Sequence, residues 1–126
     1  MRFLKQYFLS ISISIVAFSM CMMDTTELPS VEMTDFDKLV HFLMFGGLAG
    51  LVFFESSRYF RYFVSPSRIV WGVFIFPLLF GGGIELVQEY FSSTRTGDWL
   101  DFFYDGLGVL LATIVCWIIN RNLQRK

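Results

Sequence analysis

The sequence predicts an all-α membrane protein: a four-helix transmembrane bundle with the N- and C-termini in the cytoplasm. Three observations predict it. Four apolar stretches approach or exceed the length needed to cross a hydrocarbon core about 30 Å thick. Apolar residues make up 55% of the 126-residue chain, with 16 phenylalanines, and mean hydropathy is +0.58. A soluble domain of this size could not bury so much apolar surface. Finally, Lys and Arg fall in alternate connections, the pattern that sets helix orientation.

The same totals exclude other classes. The net charge is −1, and no tract is basic enough for nucleic acid, so no nucleic-acid partner is expected. The length fits one domain, residues 1–126, without internal repeats. Cys21 and Cys116 lie in separate apolar runs and form no C-x-x-C motif. They read as small apolar residues and not as a disulfide or metal ligands.

The first segment, about residues 6–23, follows Arg2 and Lys5 and is uncharged. It fits a retained helix. Its basic start and apolar core also match a cleaved signal segment, and Phe18-Ser19-Met20-Cys21 hints at lipoprotein processing. Met20 is too large for the position before such a cysteine, which favours retention. Ser10, Ser12 and Ser14 can bond back to helix carbonyls and do not rule out a span. Residues 24–37 read as a polar, acidic loop around Pro29, in which Thr34 or Asp35 could cap the next helix.

The second span, about 38–55, is interrupted by His41 and contains Gly46 and Gly50, a G-x-x-x-G pair suited to close helix packing. Residues 55–68 form a basic connector with Arg58, Arg61 and Arg68, and its aromatic residues suit a membrane interface. The third span, about 69–90, carries Pro77 and Gly81-Gly82-Gly83, where a kink or a loosened helix is expected. A short loop leads to the fourth span, about 100–120, and then to a basic tail.

Counting Lys and Arg alone, both termini and the middle connector lie in the cytoplasm, and the first and third loops face outward. This alignment moves the charged residues to one place. Asp37, Lys38 and His41 head the second span. Glu85, Gln88 and Glu89 end the third. Asp98, Asp101 and Asp105 begin the fourth. All are at the outer leaflet, where charge inside apolar helices needs a reason. Spacing places Asp37 with His41, Glu85 with Gln88 and Glu89, and Asp98 with Asp101, Asp105 and Gly108, each set on one helix face. Arg95 lies in the loop between the last two groups. Trp99 reads as an interfacial anchor.

These residues resemble the VanZ-like family. The pattern is Asp37-Lys38-x-x-His41-Phe42, then Glu85-x-x-Gln88, Arg95-x-Gly97-Asp98-Trp99-x-Asp101 and Asp105-x-x-Gly108, spanning residues 37 to about 118. Asp105 departs from it, since Asn is more usual there. The resemblance implies a small bacterial integral membrane protein of the cell envelope, multi-pass in the cytoplasmic membrane. Through the family's namesake it also implies a link to antibiotic resistance, against the glycopeptide teicoplanin.

Three readings of the polar group stand. In the first, Asp37, Lys38, His41, Glu85, Gln88, Arg95, Asp98, Asp101 and Asp105 bind a polar head group at the outer face, with Lys38 and Arg95 contacting phosphate or carboxylate. A lipid-linked cell-wall precursor or a glycopeptide has the matching shape, with an apolar chain in the bilayer. In the second, paired carboxylates act as acid and base, or His41, Glu85, Asp101 and Asp105 hold Mg²⁺ or Mn²⁺. No nucleophile motif is present, so binding is preferred to catalysis, and no cofactor or metal is assigned. In the third, the charges only pin helix ends together.

Overall fold

The computed structural model describes residues 2–22, 30–59, 64–91 and 99–125, with the side chains of 21, 30–37 and 124 outside the description. Every element among these residues is helical. Among the described residues, three helices are long and apolar enough to cross a membrane: Lys38–Tyr59, Pro66–Phe91 and Trp99–Leu123.

The chain begins with α1 (Arg2–Gln6) and α2 (Phe8–Cys21). They are one rod bent at Tyr7, whose φ of −108° and ψ of 30° leave the helical range. Backbone bonds still run through the bend, from Tyr7 N–H to Phe3 O at 3.0 Å and from Ile11 N–H to Tyr7 O at 2.9 Å. The 14 residues of α2 rise about 21 Å, short of a full crossing on their own. Ser12 and Ser14 bond back to Phe8 O and Ser10 O, each at 2.8 Å. Ser10 does something else.

Helix α3 (Ser30–Tyr59) begins earlier than the sequence suggests. Residues 30–37 are helical, so the acidic loop ends sooner, and neither Thr34 nor Asp35 caps the helix. Polar residues here extend an apolar helix beyond its span, because helix continuation costs less than a new nucleus. At the far end α3 runs through Glu55 to Tyr59 and takes the start of the expected connector into its last turns.

A short turn, α4 (Pro66–Arg68), opens the next span. It leads into a π-helical segment, Ile69–Ile75, and then α5 (Phe76–Phe91). The irregularity expected near Pro77 takes this form. Proline has no N–H and its ring crowds the carbonyl four residues back. The wider π turn shifts the bonding, so that Phe76 N–H reaches Trp71 O, five residues back. Helix α6 (Trp99–Gln124) completes the fold.

Neighbouring residues fix the directions. Ser10 meets Glu55 and Tyr7 meets Ser56, so α2 runs antiparallel to α3. Phe45 touches Phe80 and Gly72 faces Val52, so the π segment and α5 also run against α3. His41 meets Asp105, Gly46 meets Gly108 and Val64 meets Asn120, so α6 runs with α3. The α3–α6 crossing is close because Gly46 and Gly108 let the backbones approach. A Cβ on Gly46 would stand 3.1 Å from Gly108 O, and one on Gly108 would collide with Phe42 O. Gly50, the other glycine of the pair, has nothing within 4 Å of an added Cβ.

Phe45, Leu48, Val52, Val73, Ile84 and Val109 form the core between α3, the π segment, α5 and α6. Large apolar residues also cover the outside, among them Trp71, Leu79 and Phe103. That surface suits lipid contact. Asn120 closes the opposite end, accepting from Val64 N–H at 3.0 Å and donating to Val64 O at 2.8 Å.

Candidate functional site

His41 lies in α3 with 1% of its surface exposed. Its imidazole faces α6, where Asp101 and Asp105 are one turn apart on a single side. Nδ1 is 2.7 Å from Asp105 Oδ1, and Nε2 is 3.8 Å from Asp101 Oδ2. Asp105 is fully buried and Asp101 nearly so. The Phe45 ring stacks on the imidazole, with centroids 6.0 Å apart and planes at 13°. Phe80 leans on Phe45 at 5.9 Å. The imidazole is therefore held by two carboxylates at its edges and an aromatic face.

The glycines of α5 make room for this arrangement. A Cβ on Gly81 would stand 2.8 Å from Asp105 Oδ2 and 3.3 Å from the Phe45 ring. A Cβ on Gly82 would stand 3.3 Å from the Phe102 ring. The glycine run thus lets α6 dock on α5, as well as following the irregular turn. One helical turn beyond Gly81, Glu85 brings in a third buried carboxylate. One ligand atom each from His41, Glu85 and Asp105 lie within 4.8 Å of one another. Gln88, three residues on, is also buried, whereas Glu89 faces outward.

The nine residues marked out in the sequence divide into three groups. His41, Glu85, Gln88, Asp101 and Asp105 are buried where three helices meet. Lys38 sits at the edge, its ammonium 5.9 Å from the centre of the Tyr104 ring, a cation–π distance. Asp37 is in α3, but its side chain lies outside the described residues, as do Arg95 and Asp98. Gly108, on the same stripe as Asp101 and Asp105, serves the helix crossing. Trp99 is 70% exposed and packs edge-on against Phe102, as an interfacial anchor would.

Chemically, the cluster combines an imidazole, an amide and three carboxylates in an apolar surround. Hydrogen bonds and charges act strongly there, because little water screens them. Such a set can accept hydroxyl or amine protons, hold a proton between imidazole and carboxylate, or ligate a cation.

A fourth buried carboxylate, apart from this cluster, was not marked out in the sequence. Glu55 lies in the last turns of α3 and caps the start of α2. Its Oε1 accepts Leu9 N–H at 2.7 Å, and its Oε2 accepts Ser10 N–H at 3.1 Å and the Ser10 hydroxyl at 2.5 Å. First-turn N–H groups lack carbonyl partners within their own helix and attract negative charge. Beside it, the Tyr7 and Ser56 hydroxyls bond at 2.9 Å. The available signal was an acid between Phe54 and Ser56, still on the helical period of the apolar run. Its partners, 45 and 46 positions away, were not.

In comparison with known proteins, the model of the family described as VanZ/LLP1 matches residues 2–120 of the chain. No curated protein and no solved structure matches it.

Proposed function

The chain belongs to the VanZ/LLP1 family, and from that membership we propose that it binds the polar head group of a lipid-linked envelope component at the outer face of the bacterial cytoplasmic membrane. The observation that carries this reading is the buried set His41, Glu85, Gln88, Asp101 and Asp105, supplied by three membrane-length helices at one end of the bundle. Polar groups at that depth are costly and mark functional sites by default. Asp37, Lys38, Arg95 and Asp98 complete the site in this reading, with the two cations directed at phosphate or carboxylate.

An apolar groove of about 670 Å³ runs between the N-terminal rod and the π segment, past Ile11, Ile15, Phe18, Trp71, Phe76 and Phe80. Phe80 joins it to the cluster through Phe45 and His41. This suits a ligand with an acyl or prenyl chain beside its head group.

In the same reading the protein is a single four-span domain with cytoplasmic termini, and α1–α2 is its retained first span. The Glu55 cap supports retention. Removing residues up to Cys21 would take from Glu55 the Leu9 N–H, the Ser10 N–H and the Ser10 hydroxyl that it accepts from. In this reading, occupying an envelope lipid alters sensitivity to glycopeptides such as teicoplanin.

The direct His41–Asp105 bond favours a second reading, in which the cluster only fixes helix positions. Expression of Glu85→Ala, Arg95→Ala and Asp101→Ala separates the two. The binding reading expects normal membrane abundance with lost effect on glycopeptide sensitivity. Reduced abundance with unchanged effect per molecule would support the structural reading.

A further inference from the structure

We propose that His41, Glu85 and Asp105 bind one divalent cation of the Mn²⁺ class. The set differs from a patch of surface acids. Its members come from α3, α5 and α6, each is at least 97% buried, and one ligand atom from each falls within 4.8 Å of the others. The 2.7 Å separation of His41 Nδ1 and Asp105 Oδ1 is close to the roughly 3 Å between adjacent ligands of a six-coordinate ion of this size. One imidazole with two carboxylates suits Mn²⁺ better than the sulfur-rich or all-oxygen alternatives.

Two further features fit the same site. Asp101 Oδ2 lies on the other side of the imidazole, 3.8 Å from Nε2. A carboxylate there favours the tautomer with its proton on Nε2, which leaves the Nδ1 lone pair directed at Asp105. Shortened to hydrogen-bond distance on cation binding, the Asp101 contact would complete the carboxylate–histidine–metal arrangement. The absent side chain of Gly81 leaves open the space beside Asp105 Oδ2 that a Cβ would enter at 2.8 Å. The cation replaces the proton shared by Nδ1 and Asp105 Oδ1, and that proton goes to solvent on binding.

The inference stands apart from head-group binding, because cation binding is measured with no lipid-linked compound added. The full chain, purified in mild detergent and stripped with EDTA, is titrated with MnCl₂ while free Mn²⁺ is followed by electron paramagnetic resonance. The expected result is one bound equivalent, with proton release. Glu85→Gln and Asp105→Asn should weaken it by about 100-fold, and Asp101→Asn by about 10-fold. Glu89→Gln, on the exposed side of α5, should leave it unchanged. Unfolding curves without Mn²⁺ establish that each variant is folded, and the near-isosteric Glu85→Gln decides if Asp105→Asn is not. No bound Mn²⁺ in the unsubstituted chain, or binding that Glu85→Gln leaves intact, would overturn the proposal.

Discussion

His41 and Asp105 stand 64 positions apart in sequence, and their Nδ1 and Oδ1 atoms meet at 2.7 Å inside the bundle. This bond joins α3 to α6 a short way above the Gly46–Gly108 crossing. Breaking a buried hydrogen-bonded pair by removing one partner leaves the other unsatisfied, at a cost of about 1–3 kcal/mol, and more for a charged group. Asp105→Ala should therefore lower thermal stability in detergent strongly. Asp105→Asn keeps an acceptor for the imidazole and places the residue more usual in VanZ-like proteins, so its loss should be clearly smaller. Equal losses for the two variants would remove the pair from the account of stability.

The helix crossing gives a contrast between glycines. Ala at Gly108 meets the Phe42 carbonyl, and Ala at Gly46 presses on the Gly108 backbone, whereas Ala at Gly50 meets nothing. Overpacking of this kind costs about 1–3 kcal/mol or more. We expect Gly108→Ala to be the most damaging, Gly46→Ala intermediate and Gly50→Ala near neutral, as read by unfolding in detergent. A large effect at Gly50 alone would point to packing between separate copies of the chain.

Glu55 should hold the N-terminal rod in place. Hydrogen bonds to a charged group contribute about 1.5–3 kcal/mol each, and two of the three here also use the positive end of α2. Glu55→Ala should destabilise the protein by a few kcal/mol, and Glu55→Gln by less. A double-mutant cycle with Ser10→Ala should show a coupling of about 0.5–3 kcal/mol. Strict additivity would mean that the Ser10 hydroxyl bond contributes nothing.

Membrane orientation is open to direct labelling. With Cys21 and Cys116 replaced by alanine, a single Arg95→Cys should react with a membrane-impermeant maleimide added to intact cells. Labelling only after the cytoplasmic side is opened would reverse the assigned topology.

What could be read from the sequence follows from the range of the forces involved. Apolar runs report burial in lipid locally, so the three long helices were legible from composition and length. Helical spacing is also local, which is why Glu85 with Gln88, and Asp101 with Asp105, could be placed on shared faces. The start of α3 at Ser30 was not legible, because polar residues outside a span look alike in a loop and in a helix end. The role of Glu55 was hidden for a different reason. Two of its three partners are backbone groups exposed by a bend at Tyr7, and no side-chain pattern marks a bend. Pro77 announced an irregularity, but its extent over Ile69–Ile75 depends on packing against α3 and α6. The glycines at 81 and 82 suggested looseness, and their place against Asp105 and Phe102 became visible only with α6 beside them.

The most direct measurement of the central claim is mass spectrometry of the intact protein released from mild detergent. The unsubstituted chain should carry a lipid-linked compound with a phosphate- or sugar-bearing head, and Glu85→Gln and Asp101→Asn should lose it while remaining folded. A chain that carries no such compound, or variants that retain it fully, would contradict head-group binding by the His41–Glu85–Asp101–Asp105 cluster.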